Sequence, residues 1–324
     1  MEITDPRSVL DFQKTTFCGH VRSHVVKVLL QNIQLGHADY ACYWSLELLC
    51  SGLVHTLWMA LFEGAALHVN RAQPAVFLYL ASAYEKYAPI ESKYTLQDMT
   101  SIRNNHDVRQ MICQAASAIS LCRKNKLPSL PTIKPTHDFD PVTIQESLKA
   151  PSTLFGRLVL KRDDPMPIAV PINEFVYCLR QDVRDTTRSL YWMAWIYAYC
   201  REHKKQTKQP LQFANRTDEY VSTAHGSHVV WILWEAVQKQ SQPTTRPYID
   251  VLYRMYCLRW SPSDAKQRQA LLTAAVVLVC EGLTIDTTPV SGETLAIATV
   301  LNGIPAWLDA IARTQKSFSS QNDK

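Results

Sequence analysis

Residues 41–52, which read ACYWSLELLCSG, decide how the chain is interpreted. Asp39 precedes them at a position that can cap a helix, and Ser51-Gly52 follows the last apolar residues as a stop signal. Apolar side chains occur on nearly every face of the helix predicted between these signals. Such a helix has no side suited to water, so we expect it to lie enclosed at the centre of a helical bundle.

Four short sequence blocks around this helix recur in the same order farther along the chain. The first copy contains Tyr43-Trp44, His55-x-x-Trp58, Pro74 and Arg109-Gln110-x-x-x-x-Ala115-Ala116. The second copy contains Tyr191-Trp192, His228-x-x-Trp231, Pro247 and Arg268-Gln269-x-x-x-x-Ala274-Ala275. A single match could arise by chance, but four matches in one order indicate duplication of a helical unit.

The composition supports a helical protein with a substantial core. The chain has 324 residues, a length that suggests two domains, and 47% of them are hydrophobic while 19% are charged. Only 9 residues are glycine, fewer than strand-rich folds usually need for their turns. The net charge of +5 permits binding to a polyanion without requiring it.

The cysteines and the apolar runs indicate in which cellular compartment the protein is expected. Nine cysteines are scattered without short paired spacing, which is typical of small core residues in a reducing compartment. The sequence begins without a basic leader or an apolar signal core. The apolar runs Leu190–Tyr199 and Ala274–Cys280 are shorter than the ~20 residues that span a bilayer. We therefore expect an intracellular protein in the cytoplasm or nucleus that does not bind a membrane.

The sequence predicts an all-α fold with three sections. Residues 1–126 form a first bundle, 127–171 a proline-rich linker, and 172–324 a second bundle with a polar tail after about Arg313. Eight of the 17 prolines lie between Pro128 and Pro171, which disfavours regular helix there. Within the linker, residues 158–160 and 168–170 flank a charged stretch and could pair as a small β-hairpin. The lysine-rich residues 201–209 have no counterpart in the first copy.

Motifs that hold nucleotides or metals are missing from the sequence. It contains no Gly-x-x-x-x-Gly-Lys-Ser/Thr, Gly-x-Gly-x-x-Gly, Gly-x-Ser-x-Gly, His-Glu-x-x-His or Cys-x-x-Cys. These absences disfavour an NTPase, a dinucleotide enzyme, an α/β-hydrolase and a zinc ribbon. The expectation is a non-enzymatic protein with no catalytic residues and no cofactor.

Histidines and tryptophans each allow two interpretations. His20 and His24 have the spacing of a zinc-binding pair, yet two half-exposed histidines explain it equally simply. His55 and His228 could act as paired acid–base groups, but we favour capping or core histidines whose ring nitrogen reaches a backbone carbonyl. The tryptophans could stack nucleobases, but their place in apolar helical runs favours core packing: Trp44, Trp58, Trp192, Trp195, Trp231 and Trp234.

Two basic clusters could contact nucleic acid. Both also fit solvated helix ends, where cations suit the negative end of the helix dipole. The first cluster follows a predicted helix of the first copy, and the second follows the central helix of the second copy. The candidate nucleic-acid residues are Arg123, Lys124, Lys126, Arg201, Lys204, Lys205 and Lys208.

Residues 41–52 resemble a pattern found in two protein groups. One is a helical protein family of large nucleocytoplasmic DNA viruses, which is similar also at Asn173-Glu174-Phe175, at Tyr191-Trp192 and over Leu252–Glu281. The other is the collar domain of bacterial clamp-loader-like AAA+ recombination factors. That likeness covers about Ala38–Lys126 and depends mainly on Ala41, Tyr43, Trp44 and Gly52.

The resemblance implies a tandem pair of clamp-loader-collar-like bundles. The collar joins subunits and performs no chemistry, and the ATPase module that precedes it in that family has no counterpart in this sequence. The implied function is a non-enzymatic assembly or scaffolding subunit associated with viral DNA replication or repair. Its expected partners are proteins, including copies of itself, and DNA binding through the basic helix ends or a structural role in the virion are the alternatives.

Overall fold

The computed structural model describes residues 2–283 and 289–322 and confirms the all-α prediction. These residues form fourteen α-helices and no β-strand. The helices are α1 (Arg22–Leu35), α2 (Ala38–Cys50), α3 (Val54–His68), α4 (Ala75–Glu91), α5 (His106–Leu121), α6 (Pro135–Asp138), α7 (Pro141–Ser147), α8 (Ala169–Leu179), α9 (Thr186–Thr207), α10 (Val230–Gln240), α11 (Arg246–Cys257), α12 (Gln269–Glu281), α13 (Leu295–Leu301) and α14 (Ile304–Asn322).

The chain divides into two compact units. The first unit comprises Met1–Lys126 together with Asp286–Lys324, and the second comprises Leu127–Ile285. The stretch 127–171, expected to be a linker, therefore belongs to the second unit. The C-terminal segment, expected in the second bundle, is instead part of the first unit.

Helix α2 is the central helix of the first unit, as its sequence predicts. It packs on α1, α3, α5 and α14, and most of its side chains are fully buried. Its start differs from the prediction, because His37 is the N-cap and Asp39 lies in the first turn, where a carboxylate suits the helix dipole. Gly52 follows the helix with φ +70°, a left-handed conformation that glycine adopts without strain.

Each unit contains five helices that share most of their neighbours. In the first unit α1 packs on α2, α3 and α5, while α4 packs on α3 and α5. In the second unit α8 packs on α9, α10 and α12, while α11 packs on α10 and α12. The pair α2–α5 corresponds to α9–α12, and the pair α3–α5 corresponds to α10–α12. The packing of α2 on α3 has no comparable counterpart between α9 and α10, so duplication of one helical unit stays a prediction from the sequence.

Two buried arginines occupy corresponding places in these five-helix sets. Arg109 lies in the first turn of α5 and donates to the Arg103 carbonyl and the Asn104 side chain, in the segment before that helix. Arg268 immediately precedes α12 and donates to the carbonyls of Tyr256 and Leu258 at 2.6 Å each. Arg109 therefore joins α5 to the segment that leads into it, whereas Arg268 joins the start of α12 to the end of α11 and the residue after it.

The prediction of a hairpin in the proline-rich stretch is wrong. Residues 155–158 and 166–168 form 3₁₀ helices, and Ala169 begins α8. The prolines exclude helix interiors but not helix starts, since a first-turn residue needs no amide hydrogen bond. Pro135 and Pro141 accordingly begin α6 and α7. The polar residues after Cys200 are also helical, because α9 continues to Thr207.

The C-terminal helices pack inside the first unit, with α13 on α5 and α14 on α2. Ile304, Leu308 and Ile311 recur at helical spacing and are buried. Helix α14 runs past the expected end near Arg313 to Asn322, and residues 323–324 of the predicted tail lie outside the described residues.

One stretch, Leu295–Gln315, is long and apolar enough to cross a membrane by length and composition alone. Asn302 and Gly303 interrupt its apolar residues, so it does not form one continuous apolar run in the sequence. A single helix of this kind is weak evidence for a membrane span; 17% of its apolar window is buried in the first unit, including Ile304 and Leu308.

Candidate functional site

A loop of the second unit, residues 213–227, lines a pocket and is called here the pocket loop. Its ends are joined by two backbone hydrogen bonds, from the Phe213 amide to the Ser227 carbonyl at 3.1 Å and from the Arg216 amide to the Gly226 carbonyl at 2.9 Å. Compact loops of this kind, closed at the base, frequently carry function.

Arg216 anchors the pocket loop through a buried ion cluster. Its guanidinium binds both carboxylate oxygens of Asp164, at 2.9 and 2.6 Å, and its Nε donates to Glu235 of α10 at 2.8 Å. Further donations reach the carbonyls of Ala214 and Val159 at 2.8 Å each. Burial tends to raise the pKa of Asp164, but hydrogen bonds led by Arg216 outweigh it and hold that pKa below its usual value.

Asp218 fixes the middle of the pocket loop. One carboxylate oxygen accepts the amides of Tyr220 and Val221 at 2.8 and 2.9 Å, as in an Asx-turn. The other oxygen accepts the Tyr253 hydroxyl of α11 at 2.6 Å. The loop is therefore ordered by its own side chains before any ligand binds.

The pocket lies between the pocket loop and the C-terminal end of α11, and its volume is about 290 Å³. Indole rings form its interior, since Trp231 and Trp260 pack edge to face with their centroids 4.7 Å apart. The Trp231 Nε1–H donates to the His225 carbonyl at 2.7 Å, which links this wall to the loop. Tyr220 and Arg259 also line the pocket and are exposed.

Arg259 has φ +48°, an uncommon conformation for a residue other than glycine. The turn is held by Arg268, whose guanidinium binds the carbonyl of Leu258 next to it. Unusual backbone conformations concentrate at ligand-binding positions, so this turn marks the pocket as a candidate site.

His228 stands behind the pocket, with its ring centroid 5.0 Å from that of Trp260. Its Nδ1 accepts the Val230 amide at 3.2 Å, so it satisfies the start of α10. The predicted capping role is thus observed, but the ring nitrogen accepts from an amide rather than contacting a carbonyl. Burial, with smaller contributions from the neighbouring His225 and Lys204, lowers the pKa of His228 to about 4.

The basic cluster of the second unit lies on the last two turns of α9 and just beyond them. Arg201, Lys204 and Lys208 are exposed, and Lys205 pairs with Glu202 at 3.2 Å. Lys204 lies near enough to His228 to influence its titration. All four predicted cations are therefore exposed at this helix end, and Lys205 also has an ion-pair partner.

In the basic cluster of the first unit, unlike that of the second, one lysine binds the end of a helix. Lys124 donates to the carbonyls of Ile119 and Ser120 at 2.6 and 2.7 Å and so satisfies the end of α5. Burial lowers its pKa to about 8. Arg123 and Lys126 are exposed. Lys124 serves the helix terminus, which was the alternative to nucleic-acid contact.

The remaining sequence candidates are mainly structural. His24 is exposed, and half-buried His20 packs against Trp44 with centroids 5.5 Å apart. In the described part of the chain, no group of three or more His, Cys, Asp or Glu residues could hold a metal ion. The core role predicted for the tryptophans is observed for all but Trp44, which is half-buried; the buried ones are Trp58, Trp192, Trp195, Trp231 and Trp234.

Sequence reasoning missed the residues that shape the pocket. Tyr220, His225 and Arg259 belong to no repeated block, and their neighbours in the pocket are distant along the chain. Trp260 gave the one available signal, because it follows α11 at the edge of an aromatic run.

Comparison of the chain with protein-family models, curated proteins and solved structures gives no match in any of the three. The resemblance to viral helical proteins and to the clamp-loader collar thus stays a prediction from sequence.

Proposed function

We propose that the protein is a non-enzymatic assembly subunit that binds a protein partner or a second copy of itself through helical surfaces. An association with viral DNA replication or repair follows from the sequence resemblance. The observation that carries the proposal is an apolar surface segment of the second unit, residues 154–170. Its exposed members are Leu154, Leu158, Met166 and Val170, with Met166 80% exposed.

The apolar surface segment is held in place by buried polar side chains of α8. Asn173 accepts the Gly156 amide at 2.8 Å and donates to the Ser152 carbonyl at 2.9 Å. The 3₁₀ helices at each end of the segment pack on α8. Exposed apolar side chains on an ordered backbone lose little conformational entropy on binding, and this supports an interaction surface here. The same segment carries exposed charged residues between the apolar ones: Arg157, Lys161, Arg162 and Asp163.

Buried carboxylates support a structural role, because they bind the chain itself. Glu47 accepts the Thr16 hydroxyl at 2.6 Å and the Cys18 amide at 2.8 Å. Glu174 accepts the Lys149 amide at 2.8 Å and the Ala150 amide at 3.0 Å. These groups fix loops onto helices, and for Glu47 this task uses one carboxylate oxygen, since its Oε2 is buried without a hydrogen-bond partner.

Light scattering of the full chain over a range of concentrations tests the proposal. We expect a mass above the 36.9 kDa monomer, or a stable complex recovered by pull-down from producing cells. The variant L154E/M166E should abolish the association. The matched control L96E/V142E changes two equally exposed apolar side chains elsewhere and should retain it. A monomer that recovers no partner, or an association that L154E/M166E leaves intact, would contradict the proposal.

Nucleic-acid binding is a second candidate function, favoured by the exposed cations of α9. Arg201, Lys204 and Lys208 can neutralise phosphates, so binding should weaken steeply as salt rises. Replacing all three by glutamate should remove most of the affinity and flatten its salt dependence. An unchanged salt slope in that variant would dismiss this function without affecting the assembly proposal.

A further inference from the structure

We propose that the apolar surface segment, together with a cleft beside it, binds an acidic amphipathic segment of a partner protein that differs from this chain. This inference rests on the assembly proposal and names the chemistry of the partner. It is carried by cations that stand between the exposed apolar side chains and by the polar lining of the cleft.

The exposed charges of the apolar surface segment are mainly positive. Arg157 and Arg162 are exposed, and among the described residues neither side chain has a hydrogen-bond or ion-pair partner. Lys161 is exposed as well, and its ammonium donates to a backbone carbonyl at 3.1 Å. Within residues 154–170 the exposed acid is Asp163, because Asp164 is buried in the ion cluster of the pocket loop. Three exposed cations against one exposed acid leave this surface with net positive charge.

A cleft of about 430 Å³ adjoins the apolar surface segment. Lys239 lines the cleft, and its ammonium donates to the Leu158 carbonyl at 2.7 Å. Arg180 lines it too, and its guanidinium lies over the Phe155 ring, 4.8 Å from the ring centroid. Both of these cations already have an ion-pair partner, so the free positive charge comes from the segment. The cleft is within the size range of ligand pockets, roughly 300–1,000 Å³.

Amide side chains line the rest of the cleft and suit a peptide backbone. They belong to Gln181, Gln240 and Gln242, and in the described part of the chain none of the three side chains is engaged in a hydrogen bond. A side-chain amide both donates and accepts, as each peptide unit of a bound chain does. A peptide lying in the cleft would therefore find partners for its backbone, whereas a flat lipid surface could not enter it.

The same charges disfavour a symmetric dimer formed through this face. An isologous interface places one surface patch against its own copy. Arg157 and Arg162 of one chain would then lie close to the same cations of the other, and like charges brought together across an interface destabilise it. A partner that carries Asp or Glu beside apolar residues instead matches both the charge and the apolar side chains of this surface.

The backbone beneath these side chains is fixed before a partner binds. The Leu160 amide donates to the Gly156 carbonyl at 2.8 Å, and the Lys161 amide donates to the Asp164 carboxylate at 2.7 Å. Asp164 is itself held by Arg216. Binding therefore has little backbone to order, and its entropic cost falls mainly on the exposed side chains.

Selection of a displayed library of random peptides on the immobilised full chain provides the test. We expect enriched peptides that combine Asp or Glu with Leu, Ile or Phe and whose binding weakens as salt rises. The variant R157E/R162E should bind these peptides about tenfold more weakly, because two surface attractions become repulsions. Selection on that variant should enrich Lys and Arg in place of the acids.

Two further variants separate this surface from the general charge of the protein. The matched control K93E/K134E changes the net charge by the same amount at exposed lysines outside the segment and the cleft, and it should leave the selected peptides bound. L154E/M166E should abolish their binding, because the apolar part of the surface is lost. Urea midpoints equal to that of the unmodified chain show that the variants fold.

Three results of the selection would overturn the inference. They are enriched peptides without an excess of acids, no enrichment at all, and selected peptides that R157E/R162E binds as tightly as the unmodified chain. Vesicles of phosphatidylserine and phosphatidylcholine distinguish a membrane from a peptide. Binding to these vesicles that R157E/R162E removes, without selection of acidic peptides, assigns the surface to anionic lipid and also overturns the inference.

The assembly proposal is tested separately by the same variants. An association that L154E/M166E abolishes and R157E/R162E leaves intact supports assembly through this segment and overturns the acidic partner. An association that L154E/M166E leaves intact contradicts the assembly proposal itself.

Discussion

Replacing Arg216 by methionine should destabilise the second unit severely. The substitution keeps much of the side-chain volume and removes all five hydrogen bonds of the guanidinium. Asp164, whose side chain is 1% exposed, would then stay buried without a counter-ion. The carbonyls of Val159 and Ala214 would lose donors as well.

The structure sets the magnitude of this effect. Breaking a buried ion pair by removing one partner typically costs about 3–5 kcal/mol, because it leaves an uncompensated charge. For a unit of this size each kcal/mol lowers the melting temperature by about 2–4 °C. We therefore expect the midpoint of the second unit to fall by roughly 10 °C.

The pH dependence identifies Asp164 as the cause. Because its folded pKa lies below the unfolded value of about 3.9, its contribution is present above that pH and is lost as the pH falls through the folded pKa. Without Arg216, burial would instead raise the pKa of Asp164. The deficit of the variant should thus be largest near neutral pH and shrink in acid.

Thermal unfolding followed by tryptophan fluorescence at several pH values measures these changes. Five of the eight tryptophans belong to the second unit, so the signal reports mainly on it. The matched control is R180M, which removes an equally bidentate pair with Asp182 at the surface and should leave the midpoint unchanged. A variant R216M as stable as the unmodified chain, or a deficit that does not depend on pH, would refute the reasoning.

Two further changes test the local geometry. Gly52→Ala should lower the stability of the first unit by about 1–2 kcal/mol, because alanine is strained in the left-handed backbone conformation at this position. The loss should exceed that of Gly36→Ala, because a Cβ at residue 52 would lie 3.3–3.4 Å from Thr100. Equal urea midpoints for the two variants would exclude an effect of this contact. In the unmodified chain the folded pKa of His228, about 4, lies below its unfolded value, so stability falls between about pH 6.5 and 4 as the unfolded state takes up the proton first. His228→Asn removes this titration and should make stability depend less on pH in that range. An unaltered pH profile of unfolding would count against the role assigned to this ring.

The fold was predictable where local signals are strong. Apolar periodicity and stop signals, which are local properties of the chain, predict a helix at Val54–His68, the observed range of α3. They also predict helices whose ends differ by one or two residues from those of α1, α2 and α5, namely Val21–Ile33, Tyr40–Cys50 and Asp107–Cys122. In the proline-rich stretch the prediction of little regular helix was right, since only the short α6 and α7 precede α8, and the prediction of a hairpin was wrong. The candidate site was only partly predictable from the sequence, since Lys204 and Trp231 were among the candidate residues but no residue of the pocket loop was.

The amino-acid sequence by itself determined that α2 would be central, since a helix apolar on every face has no stable position at a surface. It also determined the approximate positions of eleven helices, α1–α5, α8–α12 and α14, and the basic character of the α9 end. Only the tertiary structure decided that α13 and α14 complete the first unit, because an amphipathic stripe does not specify which core it covers. It also decided the pocket, whose Tyr220 and Trp260 become neighbours only when Arg216 and Asp218 draw the loop onto α10 and α11.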